Sequence, residues 1–407
     1  MLSTHISHQI YAKLSVDATF SQKKIIEKLS SWLASDDYGR IFLLNGYAGT
    51  GKTTIISATV SALKELGIKT ILLAPTGRAA KVLSHYSNTP ALTIHKRIYR
   101  ERSTTGYESK FSLDFNKERG AVFIVDEASM ISSGSGEADI FGSGDLLNDL
   151  VEYVRSGKEC RLMLVGDDAQ LPPVGSDLSP ALDPVSLAHF GDVEYATMDE
   201  VVRQSNDSGI LFNATMIRCM LENRIFEVPR LRCSFPDFKA IGGGELLDTL
   251  QECYDRYGRD ETIVITRSNK RANRYNEGIR RYNLSAEEEI ESGDMLMIVK
   301  NNYYYAEHDK ESPMSFVANG DVVRLKRIRR FEEFYGFRFI DALIEFPDYD
   351  GYQMDVKILL DTLASESPSL TKEQSRALFD EVEKDYLDIK SKAKRYSSYS
   401  TSRPIIP

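Results

Sequence analysis

At 407 residues, with 42% hydrophobic and 27% charged side chains, the chain is too long for one ordinary core and has a globular composition, which excludes a protein disordered overall. A formal net charge of −9 excludes coating nucleic acid through global charge and leaves room only for a local basic groove. No apolar run approaches the roughly 18 residues of a membrane helix, and no basic stretch leading into an apolar one opens the chain, so a cytoplasmic protein with no membrane partner is expected.

In chain order, residues 19–34 repeat apolar positions at helical spacing (Ile25, Ile26, Leu29, Trp32, Leu33). "IFLLN" (41–45) is a continuous apolar run of the kind that forms a strand buried on both faces. "IISATVSALKELG" predicts a helix ending at Gly67, "KTILLAP" a second buried strand, and "AVFIVDEASM" and "CRLMLVGD" a third and a fourth. Buried strands alternating with helices define a doubly wound α/β domain over the first two hundred residues. Two stretches interrupt it: 100–120, with a polar Thr-Thr-Gly turn, predicts a small β-hairpin, and the Gly/Ser-rich 131–145 predicts a loop.

Beyond about residue 205, "ETIVITRSN" predicts a buried strand leading into a basic helix, and 294–346, rich in β-branched and aromatic residues, a small β-barrel-like unit. A helix is expected from Thr371, with a capping box at Thr371 and Gln374 and an apolar stripe of Leu378, Phe379, Val382, Tyr386 and Ile389 packing on the rest of the chain. Cys160, Cys219, Cys233 and Cys253 have no ligand spacing and are expected as free thiols.

"GYAGTGKT" fits G-x-x-x-x-G-K-[ST] and lies between a buried strand and a helix, the context that gives the pattern meaning. Gly46, Gly49 and Gly51, with Tyr47, Ala48 and Thr50 between them, turn backbone amides inward around phosphate oxygens. Lys52 is then placed to meet the β- and γ-phosphates of ATP. Thr53 is placed to offer its hydroxyl to Mg²⁺, and Thr54 beside it is expected among the nucleotide-binding residues. At the end of "VFIVDEASM", Asp126 is the expected Mg²⁺ carboxylate and Glu127 the group that polarises the attacking water.

The kind of work is read elsewhere. "VGDDAQLPPV" (165–174) resembles motif III of superfamily 1 helicases, where Asp167 and Gln170 would couple the γ-phosphate to DNA-binding loops. Gln22 in "FSQKKII" resembles the glutamine that reads adenine. "LLAPTGRAAKVL" resembles motif Ia, "TIHK" motif Ib, and "MDEVVRQ" motif IV with Arg203 as an arginine finger. The chain is thus similar to the RecD-like superfamily 1B DNA helicases, the Dda group included. The resemblance is dense over 20–205 and looser over "TRSNKRANRYNEGIR", "GDMLMIVKNNYYY" and "FVANGDVV".

That resemblance implies a P-loop RecA-like parallel-sheet domain over 1–205, with a hairpin insertion near 97–120. It further implies a partial second RecA-like domain over 206–300, an SH3-like β domain over 301–362 and a helical or irregular tail over 363–407. It implies Mg-ATP hydrolysis, single-stranded DNA and duplex junctions as partners, and 5′-to-3′ movement. Pro75, Thr76 and His95 fall at strand ends, where an open α/β sheet presents binding loops, and are expected on the DNA strand. Lys270, Arg271 and Arg274, with Arg280 and Arg281, either line the second half of a DNA groove or form a solvated helix face. Tyr107 and Phe111 are either tip residues of a strand-separating pin or core. Motifs V and VI of the family are not found in the chain, so nucleotide and DNA binding are expected ahead of processive unwinding. A nucleotide-gated DNA binder is the alternative.

Overall fold

A computed structural model describes residues 2–101, 111–132, 142–173, 175–200, 208–299, 302, 312–314, 317, 319–363, 370 and six positions between 373 and 384. It divides the chain into two compact units, one of residues 1–104 and 108–238 and one of residues 105–107 and 239–407. The division falls after Phe238, later than the expected 205.

The first unit begins with α1 (Leu2–Ala12) and α2 (Phe20–Leu33), then alternates β1 (Ile41–Gly46), α3 (Lys52–Glu65), β2 (Thr70–Ala74), α4 (Gly77–Ser87), β3 (Ala91–Thr93) and α5 (Ile94–Ile98). A hairpin of β4 (Tyr99–Glu101) and β5 (Phe111–Leu113) follows, then β6 (Val122–Val125), α6 (Leu146–Ser156), β7 (Arg161–Gly166), α7 (Pro184–Leu187), β8 (Val193–Met198) and α8 (Gly209–Glu222). Six strands form one sheet in the order β3-β2-β6-β7-β1-β8, with every pairing parallel.

The four apolar runs read as buried strands are β1, β2, β6 and β7. Every residue of β1, β6 and β7 is buried, as a sheet covered on both faces requires. Successive side chains of β1 divide between the faces: Phe42 and Leu44 join Ile26, Leu29 and Ile56, while Ile41 and Leu43 join Leu147, Leu150 and Val154. Each fully buried side chain of this size contributes about 1.5–3 kcal/mol, which fixes β1 and the loop leaving it.

The expected hairpin is present as β4 and β5, paired antiparallel. Phe111 packs on the core cluster beneath it. Tyr107 lies outside the described residues, as do most of the Gly/Ser-rich loop and Arg203.

A short hairpin of β9 (Ser234–Phe235) with β10 (Phe238–Lys239) lies where the division falls, and the second unit goes on with α9 (Leu246–Tyr257) and α10 (Asn269–Tyr282). It then forms an antiparallel sheet of β11 (Met295–Met297), β12 (Val322–Phe334), β13 (Phe337–Phe346) and β14 (Tyr352–Leu359), in that order. Ile340, Ala342, Ile344 and Phe346 alternate onto its core face. Between them Asp341 and Glu345 carry ion pairs to Lys357, Arg330, Lys326 and Arg324. Leu378, from the expected tail stripe, packs on Phe339 and Leu359. Thr371, Phe379, Val382, Tyr386 and Ile389 lie outside the described residues.

One expectation is overturned. "ETIVITRSN" forms no strand: residues 263–266 have no regular structure, and Ile263 and Ile265 are 81% and 88% exposed. Its β-branched run has strand propensity, but no neighbouring strand pairs with it among the described residues, and an apolar run without a ladder has nothing to be buried against. Between 239 and 299 the described residues carry helices and no parallel sheet.

Candidate nucleotide site and nucleic-acid interface

The phosphate loop leaves the C-terminal end of β1, where open α/β sheets hold ligands. A Cβ on Gly46 would come within 2.7 Å of Met198 Cβ on the neighbouring strand. Gly51 has φ 93° at the N-terminus of α3, and a Cβ there would stand 2.6 Å from Gln22 Nε2. Both positions therefore demand glycine, one for close packing and one for a left-handed backbone. Thr50 Oγ1 donates to the Tyr47 carbonyl at 2.8 Å, pinning the loop from inside.

Gln22 lies under this loop, nearly fully buried. Its Oε1 accepts from the Thr19 amide at 3.1 Å, and Thr19 Oγ1 accepts from the Gln22 amide at 3.3 Å, closing a capping box on α2. Its Nε2 donates to the Thr50 carbonyl at 3.2 Å. The expected adenine-reading amide is thus engaged with the chain itself and ties α2 to the phosphate loop. Tyr47 makes a second tie: its hydroxyl donates to Glu222 Oε1 at 2.6 Å, and the Arg218 guanidinium lies 3.9 Å from its ring centre, both from α8.

Lys52 donates to the carbonyls of Gly46 and Tyr47, the latter at 3.0 Å. It lies 3.7 Å from the buried carboxylate of Asp167 beyond β7. Burial pulls the Lys52 amine below its ordinary range, against the opposing charges of Asp167, Glu127 and Asp126. Asp126 and Glu127 follow β6 directly. Glu127 takes φ 54° and ψ 39°, a left-handed conformation costing a non-glycine residue about 1–2 kcal/mol. Burial, then the charge of Asp126, pushes its carboxyl above the usual range, while Lys52 and a hydrogen bond with Gln170 pull the other way. Gln170 Oε1 also accepts from Ser129 Oγ at 3.1 Å. Lys52, Asp126, Glu127, Asp167 and Gln170, spread over 119 positions of sequence (52 to 170), thus meet at the ends of β1, β6 and β7.

The donor set suits a hard divalent cation: one hydroxyl (Thr53) and one carboxylate (Asp126), both oxygen. Among the described residues no three His, Cys, Asp or Glu side chains form a cage.

The expected strand-contacting residues follow the same edge of the sheet. Pro75 and Thr76 directly follow β2, and His95 stands in α5 just after β3, so the order β3-β2-β6-β7-β1 sets them beside the nucleotide residues. Thr76 Oγ1 accepts from the Ala79 amide at 3.2 Å as the N-cap of α4. The His95 ring lies 5.7 Å from that of Tyr99, whose hydroxyl donates to buried Asp149 on α6 at 2.7 Å. In the second unit the basic run divides. Arg280 is paired with Asp294 at 2.8 Å and is structural. Lys270, Arg271 and Arg274 are exposed on the first turns of α10.

Sequence reasoning missed Tyr86, whose hydroxyl donates to Asp126, and Ser129, which holds Gln170. Their pairings cross between elements and leave no local spacing to find.

A glycine-rich loop between a buried strand and a helix, with a carboxylate pair one strand removed across a parallel sheet, defines a RecA-like P-loop nucleotide-binding domain. Residues 21–218 match the AAA domain family. An uncharacterized protein of Methanocaldococcus jannaschii is 36% identical over 152 residues, 34% of this chain and 12% of that protein. The ATP-dependent RecD2 DNA helicase of Deinococcus radiodurans is 32% identical over 39% of this chain and 20% of its own. The ATP-dependent DNA helicase dda of Enterobacteria phage T4 is 35% identical over 32% of this chain and 28% of its own. The chain therefore matches less than a third of the length of each of these relatives. Among the described residues no helix is long and apolar enough to cross a membrane.

Proposed function

We propose that this chain hydrolyses Mg-ATP and uses the cycle to move 5′-to-3′ on single-stranded DNA and open duplex junctions. The observation that carries the reading is the meeting of Lys52, Asp126, Glu127 and Gln170 at one end of the sheet, beside a strand edge bearing Pro75, Thr76 and His95. Mg²⁺, held by Thr53 and Asp126, would supply charge neutralisation at the β- and γ-phosphates. Lys52 leaves its loop carbonyls to take the γ-phosphate, and Glu127 accepts the proton of the attacking water. Gln170, bonded to Glu127 and Ser129, reports the phosphate's presence to the loop at 167–173, and Arg203 adds positive charge to the transferred group. Lys270, Arg271 and Arg274 stand at the N-terminal end of α10, where the helix dipole disfavours cations. Their concentration there makes sense against a polyanion, so they take the strand's phosphates.

A nucleotide-gated DNA binder that does not translocate is the second reading, favoured by the absence of a parallel sheet among the described residues of 239–299. Steady-state ATP hydrolysis with and without single-stranded DNA, with Lys52→Ala as blank, separates the two. Strong stimulation lost in the variant supports the motor; strand binding with turnover at the blank level supports the gated binder.

A further inference from the structure

Tyr86 stands in the last turn of α4, and its hydroxyl donates to Asp126 Oδ2. The other oxygen, Oδ1, accepts from the Glu127 amide at 2.9 Å, so the carboxylate is held at both ends. The Tyr86 carbonyl accepts in turn from Ser57 Oγ at 2.9 Å. Ser57 lies on α3, four residues beyond Thr53 and so on the same helical face. Thr53 and Asp126 are thus carried by elements that Ser57 and Tyr86 tie together.

We propose that Tyr86 is a positioning residue for the divalent cation, fixing the Asp126 carboxylate while Ser57 fixes Tyr86. The inference rests on the Mg-ATP reading above. Mg²⁺ tolerates little departure from octahedral geometry, and a carboxylate free to turn about its side-chain torsions presents its oxygens at the wrong angle much of the time. Outer partners that lock such a ligand change metal affinity by about 10–100-fold in other sites. Tyr86 is suited to the task because its hydroxyl donates to the carboxylate without bringing a competing negative charge. Its place in the last turn of α4 also puts the residue that holds the metal carboxylate on the helix whose N-cap is Thr76, one of the candidate strand contacts.

The test uses the full chain with a non-hydrolysable ATP analogue and Mn²⁺, whose binding is read by electron paramagnetic resonance. A fluorescent nucleotide in EDTA measures metal-free affinity. Tyr86→Phe is expected to weaken Mn²⁺ binding about tenfold, and Ser57→Ala less, with metal-free nucleotide affinity unchanged in both. Unchanged or tighter Mn²⁺ binding in Tyr86→Phe overturns the proposal, tighter binding meaning that the hydroxyl competes for the carboxylate. Loss of metal-free nucleotide binding in both variants also overturns it, since Tyr86 would then be a prop for the fold. If Tyr86→Phe does not fold, unchanged Mn²⁺ binding in Ser57→Ala decides against it. A wild-type chain that binds no Mn²⁺ with nucleotide sinks the Mg-ATP reading itself, whereas normal wild-type binding with an indifferent Tyr86→Phe sinks only the role of Tyr86.

Discussion

Glu127 occupies a backbone conformation that few non-glycine residues adopt (φ 54°), and the turn it makes keeps its carboxylate with Lys52 and Gln170 rather than continuing the line of β6. Strain of this kind persists where surrounding structure over-determines it. Glu127→Gln keeps the shape and removes the base. Nucleotide affinity should hold while ATP turnover falls by about 10²–10⁴-fold, the range for a positioned general base; equal loss in binding and turnover would sink that role. Glu118 offers a pH test away from the site. Burial pushes its carboxyl up, but bonds from Lys69 and Arg97, each at 2.7 Å, outweigh it and hold the group below its usual range. The stabilisation is therefore complete above the ordinary glutamate value of about 4.3 and is lost as pH falls through the lower folded value. With Lys69 well exposed, Glu118→Gln should cost about 1 kcal/mol at pH 7, a difference that vanishes in strong acid when urea midpoints are compared. Lys52, Thr53, Asp126 and Glu127 stood out as candidates in the sequence because each sits at a fixed offset from a buried apolar run, and Gln170 because its segment resembles a helicase motif. Tyr86 did not, because 40 residues separate it from Asp126 and nothing in either segment points to the other.

At the scale of elements, the capping box of α2 serves two ends of the same residue. Gln22 closes the box with Thr19 and holds Thr50 in the phosphate loop, so the start of a helix and the shape of a binding loop depend on one amide. Thr19→Ala should cost about 1 kcal/mol of stability and, by freeing Gln22, weaken nucleotide binding as well. A stability loss with unaltered nucleotide titration would show that the Thr50 bond stands without the box. The four buried strands could be read from the chain because a strand covered on both faces is apolar throughout. β8 could not: at the edge of the sheet only its Ala196 and Met198 are buried, and a search for continuous apolar runs passes over it. The opposite error came from Thr262–Thr266, where strand propensity is real but pairing is missing. Propensity is local, whereas a ladder needs a neighbour, and the neighbour cannot be read from the segment.

For the whole molecule, the division into two compact units predicts two unfolding events. The chain's single tryptophan, Trp32, is buried in the first unit against Phe42, so its fluorescence reports that unit alone, while far-ultraviolet circular dichroism reports both. The two urea curves should separate; coincident curves at one midpoint would mean a single cooperative system. The α/β character of the first unit was plain from its alternation of strands and helices. The extent of that unit was not, because α8 belongs to it through ties such as Tyr47–Glu222 that no composition shift marks.

The strand that carries the phosphate loop has its two neighbours far downstream: β7 at Arg161–Gly166 and β8 at Val193–Met198, with Gly46 in register with Met198. A ribosome that has just released residue 60 has therefore exposed every letter of "GYAGTGKT" and no site. β1 would be a bare apolar ribbon until about 140 further residues had emerged, and at roughly 5–20 residues per second that leaves it waiting on the order of ten seconds. Nucleotide cannot act as an early template for this domain; it arrives as a late seal on a sheet closed by its own distant strands.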